Sequence, residues 1–481
     1  MKKLIAVVVL LLVFSVGSFA GIGYTLETEK SEVLIRERVI YGDKSYADGV
    51  EVLVKSHFKN HLFWTTSCLL GETNNVATDY EFHAEPYYEE HGRSYQGIQL
   101  QADFVYGFNQ HILPEECVGM QKAYRELFDE TARGKEQEKY IRLQDYYTYY
   151  PIRVSFDLPG VLWQGNDYDT LYDEQENERA VWDRFNDFFR IPVPDDLPDV
   201  RISIGKDSYG NVNTVGASGL EHYWIDSCDV HTSNRVFFSI SNRYTSKDGD
   251  AEPYVDTSLI PGGYGIYSLQ YTDVRNAGNT QGNTTVFQPF YETGIDDSSL
   301  AMVFPLERHA AVKYLALSND ESKLYIFTAE CDTTYLTVVD IATMTELQKL
   351  KITDADQYTV HVYDNCIVLN SWYNVSVVEK QDNGLCRLAF SVPRPTEIDT
   401  NYYHAQFGTS MAFDGKSLAM VGRLTEENYG AMELCGFTLA IYNETGLCYY
   451  GEYQSSLSML PDPQEYAFNC FPLRHSVQWK K

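Results

Sequence analysis

The chain has 481 residues, 44% of them hydrophobic and 14% aromatic, with 68 acidic against 38 basic side chains for a formal charge of -30. That apolar content supports a sizeable core and excludes a disordered chain. The acidity argues against a general nucleic-acid or anionic-lipid surface, because phosphate binding needs basic side chains that release counterions.

Lys2 and Lys3 precede an uncharged run from Leu4 to Leu26, which as a helix would cover about 35 Å, enough to cross a bilayer. Two export readings follow. Ile22, Tyr24 and Leu26 prolong the run to spanning length and favour an anchor, whereas the dense apolar stretch Leu4 to Phe14 followed by Ser18-Phe19-Ala20 suits a cleaved signal peptide. In both, residues 27–481 lie outside the cytoplasm, since the positive end stays inside. No cysteine stands at the end of the apolar run, which argues against a lipoprotein anchor.

Beyond the leader, period-2 apolar runs bounded by turn residues predict strands. Glu51 to Val54 with His61 to Thr65, then Asp79 to His83 with Ile98 to Val105, form an early four-strand set. A helix is predicted from Pro114 to about Gly134, with Met120, Tyr124, Leu127 and Phe128 on one face. Arg153 to Phe156, Arg201 to Ile204 and Val212 to Val215 make a further set. Between these strands a second helix is predicted over residues 173–190, its apolar side formed by Val181, Trp182, Phe185, Phe188 and Phe189. Tyr223 to Asp226, Val236 to Ile240, Gly265 to Leu269 and Thr285 to Phe290 complete a third upstream set.

The last third is the most regular. Val312 to Leu317, Leu324 to Ala329, Tyr335 to Asp340 and Gln348 to Ile352 make one four-strand unit, turning at Asn319 to Ser322. A second comprises Tyr358 to Tyr363, Cys366 to Leu369, Val375 to Glu379 and Cys386 to Val392. A third comprises Ser410 to Phe413, Ser417 to Val421, Gly436 to Tyr442 and Leu447 to Tyr453. Val339 to Met344 aligns on Ile441 to Gly446, an offset of 102 positions or 51 per unit, close to the period of a β-propeller blade. Phe304-Pro305-Leu306 recurs as Phe471-Pro472-Leu473, which predicts a C-terminal strand joining N-terminal residues in one blade. The resulting expectation is a mainly β chain: a propeller of five to seven four-stranded blades over residues 27–481, two inserted helices near 114–134 and 173–190, and a signal or transmembrane helix at residues 1–26. A pair of β-sandwiches is the competing architecture.

Residues 301–453 resemble YVTN and WD-like propeller repeats, in which an Asp-Gly type turn precedes one strand and a later strand ends in Asp-x-x-Thr-Gly. Met344 stands where that pattern has glycine. The runs Asn60-His61-Leu62-Phe63-Trp64, Gly436-Phe437-Thr438-Leu439-Ala440-Ile441-Tyr442 and Tyr449-Tyr450-Gly451-Glu452-Tyr453, with Tyr41-Gly42-Asp43 and Asp48-Gly49-Val50, resemble an uncharacterised family of single-pass extracytoplasmic proteins from anaerobic Gram-positive bacteria. The resemblance implies location and architecture and carries over no catalytic residue.

The motifs of common chemistries are missing: the chain holds no Gly-x-Ser-x-Gly elbow, Walker loop, Gly-x-Gly-x-x-Gly or His-Glu-x-x-His. Nine cysteines, an odd number with no Cys-x-x-Cys, point to packing thiols rather than a disulfide framework or zinc knuckle. If Asn443 to Gly446 is a hairpin turn, Cys448 faces Ile441 and lies too far from Cys435 to bond it. Asp167, Asp169, Asp173 and Glu178 have part of a calcium-loop spacing, against which Leu171 and Tyr172 occupy positions needing a ligand and a glycine. No other cofactor is expected. His83 and His91 flank the acidic Glu85, Glu89 and Glu90. Partner contacts are expected at Tyr124, Phe128, Trp182 and Phe189 on the two helices.

Two functions remain. One is a non-catalytic, membrane-tethered extracytoplasmic propeller binding a protein or envelope glycan. The other is a carbohydrate-active or other hydrolase whose carboxylates converge from different blades.

Overall fold

The computed structural model describes residues 2–58, 61–83, 85, 95–104, 117–161, 176–196, 198–223, 225, 227–240, 255–272, 294–330, 333–354, 358–371, 373–395, 410–428, 431–456 and 472–480. The chain is mainly β and divides into two compact units, one of residues 1–92, 357–381 and 386–481, the other of residues 93–356 and 382–385.

The first unit begins with helix α1 (Lys2–Glu32). Its segment Val9–Glu32 has 24 residues and is long and apolar enough to cross a membrane. The helix runs past Leu26, where the uncharged run ends, as far as Glu32. Three antiparallel sheets follow. Strands Val50–Phe58, Leu62–Leu69 and Asn75–Phe82 form a sheet whose far edge is the C-terminal strand Pro472–Trp479, with Val52 opposite Val477. The pairing of the C-terminal strand with an N-terminal one is thus observed. Strands Ser410–Phe413, Leu418–Asn428, Ala431–Asn443 and Gly446–Ser455 make the second sheet, and Ile35–Gly42 adds a fifth strand. Thr359–Val362, Cys366–Asn370, Asn374–Lys380 and Cys386–Pro393 make the third.

Alternation along the central strands explains how these sheets stack. Ala419, Val421, Leu439 and Ile441 point one way and join Val50, Val52, Cys68 and Val477 of the 50–82 sheet in one core. Leu418, Met420, Ala440 and Tyr442 point the other way and join Val368, Val375, Val377 and Phe390 of the 359–393 sheet in another. The 410–455 sheet is therefore buried on both faces.

Hairpin chemistry sets the register. Asn443 Oδ1 accepts from the Thr445 N–H at 2.8 Å, and Asn443 opposes Gly446 as the turn requires. Tyr442 faces Leu447 as expected, but a bulge follows, so that Ile441 opposes Tyr449 and Cys448 is left without a cross-strand partner in the ladder. Thiols Cys68, Cys366 and Cys448 are buried, and burial pushes those of Cys68 and Cys366 up to about 12, which keeps them inert packing groups.

The added strand Ile35–Gly42 is fastened by Glu37. Its carboxylate accepts from Tyr449 Oη at 3.2 Å, from Lys44 Nζ at 2.7 Å and from Asn74 Nδ2 at 2.6 Å, while Tyr449 and Tyr453 share a 2.7 Å hydroxyl contact. Replacing Glu37 with Ala leaves these donors to find weaker partners, and urea unfolding is expected to show a loss of about 1–3 kcal/mol. An unchanged midpoint would show the strand to be held by its backbone ladder alone.

In the second unit, Ser227–His231, Arg235–Ile240, Gly265–Tyr271 and Ile295–Pro305 form one four-stranded sheet, and Ala311–Leu317, Lys323–Glu330, Thr333–Asp340 and Thr345–Thr353 another. Phe237, Ile266 and Phe304 pack with Leu315, Leu324, Ile326 and Val339 between them. At the turn after Asp340, its Oδ1 accepts from the Thr343 N–H at 3.0 Å. Met344 there takes φ 51°, the left-handed conformation that its counterpart Gly446 (φ 113°) adopts without a Cβ.

Several upstream expectations are corrected. Gly97–Ala102 does not extend the early set but pairs with Ile152–Asp157. Arg153 to Phe156 is thereby separated from Val200–Lys206 and Val212–Ser218, which join Glu136–Ile141 in a three-stranded sheet. The third set opens with Ser227–His231 rather than Tyr223 to Asp226, because the Thr232 turn, with Thr232 N–H bonded to Arg235 O at 2.8 Å, fixes that hairpin. Its fourth strand is Ile295–Pro305; residues 285–290 lie outside the described residues.

Helix α2 (Met120–Glu130) starts after Gly119, with the Met120 N–H bonded to Tyr147 Oη at 3.0 Å; the predicted start at Pro114 lies outside the described residues. Helix α3 (Glu176–Phe188) ends before Ile191-Pro192. Both helices bury their apolar faces in a core with Leu100, Val154, Ile202, Phe238 and Tyr267.

Candidate functional site

The candidate site lies in the second unit, where the edge strand Ser227–His231 runs beside the edge strand Gly97–Ala102. Side chains bridge the two instead of a backbone ladder. Ser227 Oγ accepts from the Leu100 N–H at 3.1 Å, and Asp229 Oδ2 accepts from the Ile98 N–H at 3.2 Å. Gly97 makes this approach possible, since it has φ +73° and a Cβ there would overlap the Asp229 carboxylate. One residue back, the Gln96 N–H donates to Asp157 Oδ2 at 3.0 Å. Two carboxylates thus converge on amides two residues apart.

Electrostatics distinguish Asp229 from the acidic surface around it. Desolvation raises its carboxyl to about 7, against the opposing effect of the Ile98 hydrogen bond. Burial lowers His231, two residues further on, while the charges of Glu321 and Asp157 oppose that fall. Tyr95 lies edge-on to the His231 ring, with centroids 6.3 Å apart. Burial, Glu321 and Tyr95 push the Tyr271 hydroxyl up to about 12, and it donates to Thr232 O. Tyr314 is 36% exposed and is raised by burial and by its neighbours Cys228 and Asp229. The cluster offers a carboxyl that changes charge near neutrality, an imidazole biased to its neutral form, and three phenol rings.

The helix residues expected at a partner surface are placed differently. Tyr124 is 1% and Phe189 0% exposed, and Tyr124 Oη donates to Gly216 O at 2.8 Å. Both are core side chains, a correction to the surface role, because the face each helix turns inward is its aromatic one. Trp182 is half-buried and donates its Nε1–H to Val154 O at 2.8 Å. Phe128 is half-buried beneath Lys206, whose Nζ lies 3.7 Å from the ring centroid. Of the tyrosine run, Tyr147 donates to Phe104 O at 2.7 Å and Tyr150 is 2% exposed.

Asp167, Asp169 and Asp173 lie outside the described residues, as do His91, Glu89 and Glu90; Glu178 falls within α3. Among the described residues no group of three His, Cys, Asp or Glu is placed to hold a metal ion. His83 meets Glu81 at 3.3 Å.

No family model and no curated protein matches the chain. Solved structures similar to it include a putative 6-phosphogluconolactonase from Bacteroides fragilis, at 8% identity and a TM-score of 0.26 over 91% of this chain and 99% of that one. Periplasmic gluconolactonase from Pseudomonas aeruginosa is 12% identical, with a TM-score of 0.24 over 53% and 73%. The Cps50 (Swd1) β-propeller domain of Myceliophteria thermophila is 10% identical, with a TM-score of 0.23 over 56% and 84%. Likenesses of this size transfer no activity.

Proposed function

We propose that the chain is a membrane-tethered, extracytoplasmic β-propeller of five to seven blades that binds a protein or envelope glycan, with the Asp229 cluster as its ligand contact. The architecture rests on the five described sheets of four or five antiparallel strands, each the size of a blade, and on the C-terminal strand closing an N-terminal sheet. The tether rests on α1, whose apolar segment follows paired lysines. The observation that carries the binding site is the Asp229–Gly97 approach with Tyr95 and Tyr314 beside it: flat rings next to hydrogen-bonding carboxyls suit a glycan above other ligands.

One feature favours a second reading. A carboxyl that titrates near 7, with the Asp157 carboxylate held by the Gln96 amide two residues before the Ile98 amide that Asp229 holds, matches what a glycoside hydrolase asks of its general acid. The two readings separate in one experiment. Detergent-solubilised full chain is sedimented with insoluble envelope glycan while released reducing ends are assayed. Binding without release, weakened about tenfold by Tyr95→Ala, is expected. Release abolished by Asp229→Asn would replace binding with hydrolysis, and a chain that neither sediments nor releases sugar would sink both.

A further inference from the structure

We infer that the hairpin end of the 50–82 sheet sits in the headgroup layer of the membrane that α1 enters, with Phe82 and Leu62 turned toward lipid. The inference rests on the tether proposed above and adds which surface of the first unit faces the bilayer.

The contact between α1 and the edge strand Asn75–Phe82 carries it. Lys30 Nζ lies 3.1 Å from Asp79 Oδ1, and Tyr80 Oη lies 3.3 Å from Glu27 Oε1. Gly23, Leu26 and Lys30, three and four residues apart on one helix face, are half-buried, whereas Ile22, Tyr24, Thr25, Glu27 and Thr28 are exposed. One step forward along the strand, from Asp79 to Tyr80, corresponds to three steps back along the helix, from Lys30 to Glu27. Strand and helix therefore run in opposite directions. Phe82 is two residues beyond Tyr80, about 7 Å further, which is the height of four to five helical residues. That brings Phe82 level with the turn at Gly23, inside the uncharged run that ends at Leu26.

The residues at this level have the chemistry of a membrane interface. Phe82 is 61% exposed and is the cross-strand partner of Leu62. Tyr80 opposes Trp64 with rings 5.5 Å apart, on the same sheet face as Phe82. On the other face, the Phe63 and His83 rings meet at 5.4 Å. Charged groups Glu27, Lys30 and Asp79 lie on the side away from the apolar run, and Glu81, at the headgroup level on the other sheet face, meets His83 at 3.3 Å. Aromatic rings at the depth where a spanning helix leaves hydrocarbon are what the interface selects, because each has an apolar body and, in Tyr and Trp, a polar edge.

The test uses the full chain in lipid nanodiscs, with a photoreactive phenylalanine analogue at one position at a time. Position 82 reports the proposed surface and position 14 the anchor. Position 72, exposed at the opposite end of the same hairpin, is about 24 Å away along the strand. Lipid adducts, counted by mass spectrometry, are expected at 14 and 82 and at least about tenfold fewer at 72. Adducts at 14 without adducts at 82 overturn the inference and leave the tether standing. No adducts at 14, or a mature chain that lacks residue 14, remove the tether and the inference with it. The analogue is tolerated at 82 because the ring it replaces already faces outward.

Discussion

Substituting Asp229 by Asn is expected to stabilise the protein by about 2 kcal/mol at pH 8 and to have little effect at pH 4. The sign follows from the raised carboxyl. Its folded value is about 7, against about 3.9 for a free aspartate. Below pH 4 the group is neutral in both states, so burial carries no charge penalty. Between about 4 and 7 the unfolded chain ionises this group while the folded chain keeps its proton, and stability falls across that window; above 7 the penalty stays constant. The full shift corresponds to about 4 kcal/mol, and solvent reaching a half-buried carboxyl reduces it to about half. Asparagine keeps a carbonyl oxygen for the Ile98 N–H and cannot ionise. Urea midpoints of the detergent-solubilised wild type and variant at pH 4, 6 and 8 give the difference directly, and the remaining carboxylates cancel in the subtraction. A difference that stays flat with pH would place Asp229 in a far wetter setting than its contacts with Gly97 and Ile98 imply.

That site was out of reach of sequence reasoning for a physical reason. Asp229 and Ile98 meet across 131 positions, and nothing in the spacing of either segment marks the other. The one local signal is Gly97 at the head of an apolar strand, where a missing Cβ signals a close approach without naming what approaches. The regular sheets are the opposite case. At several turns among the described residues of 311–453 a side chain caps its own backbone, such as Asp340 on Thr343 and Asn443 on Thr445. Register there is written locally, and strand positions read from the sequence agree with the structure to within about three residues, except that Leu418–Asn428 runs past the expected end at Val421 and Ala431–Asn443 starts before the expected Gly436. Upstream, Glu136–Ile141 is polar at almost every position and Ile35–Gly42 is mostly exposed, so neither carries the alternation that reveals a strand. Each is recruited by a distant partner, Val200–Lys206 for the first and Gly446–Ser455 for the second. The aromatic helix faces were legible as faces. Periodicity cannot distinguish a face turned to the core from one turned to a partner, since both are apolar at the same spacing.

Truncating Phe189 to Ala makes that distinction measurable and is expected to lower stability by about 3–5 kcal/mol. The ring is 0% exposed. Its centroid lies 4.9 Å from that of Tyr267, 4.8 Å from Phe188, 5.9 Å from Phe185 and 6.1 Å from Phe238. Edge-on packing against Tyr267, at an interplanar angle of 85°, adds about 0.5–1.5 kcal/mol beyond the area buried. Tyr267 and Phe238 belong to the sheet that carries Asp229, and Phe238 is the cross-strand partner of Asp229, so the cavity would open on the sheet face to which the Asp229 carboxyl points. A helix that served as a detachable lid would give another result, with binding altered and the unfolding midpoint unmoved. Arg190→Ala supplies the comparison: the side chain is 51% exposed and pairs with Asp187, and its loss is expected to shift the midpoint by less than about 0.5 kcal/mol. By the same reasoning, deleting α3 outright would expose the Phe238 and Tyr267 rings and unfold the sheet beneath, so loss of a ligand in such a deletion would report collapse of the unit. Point substitutions at Tyr95 and Asp229 leave that core in place, and they are the changes from which a binding role can be read.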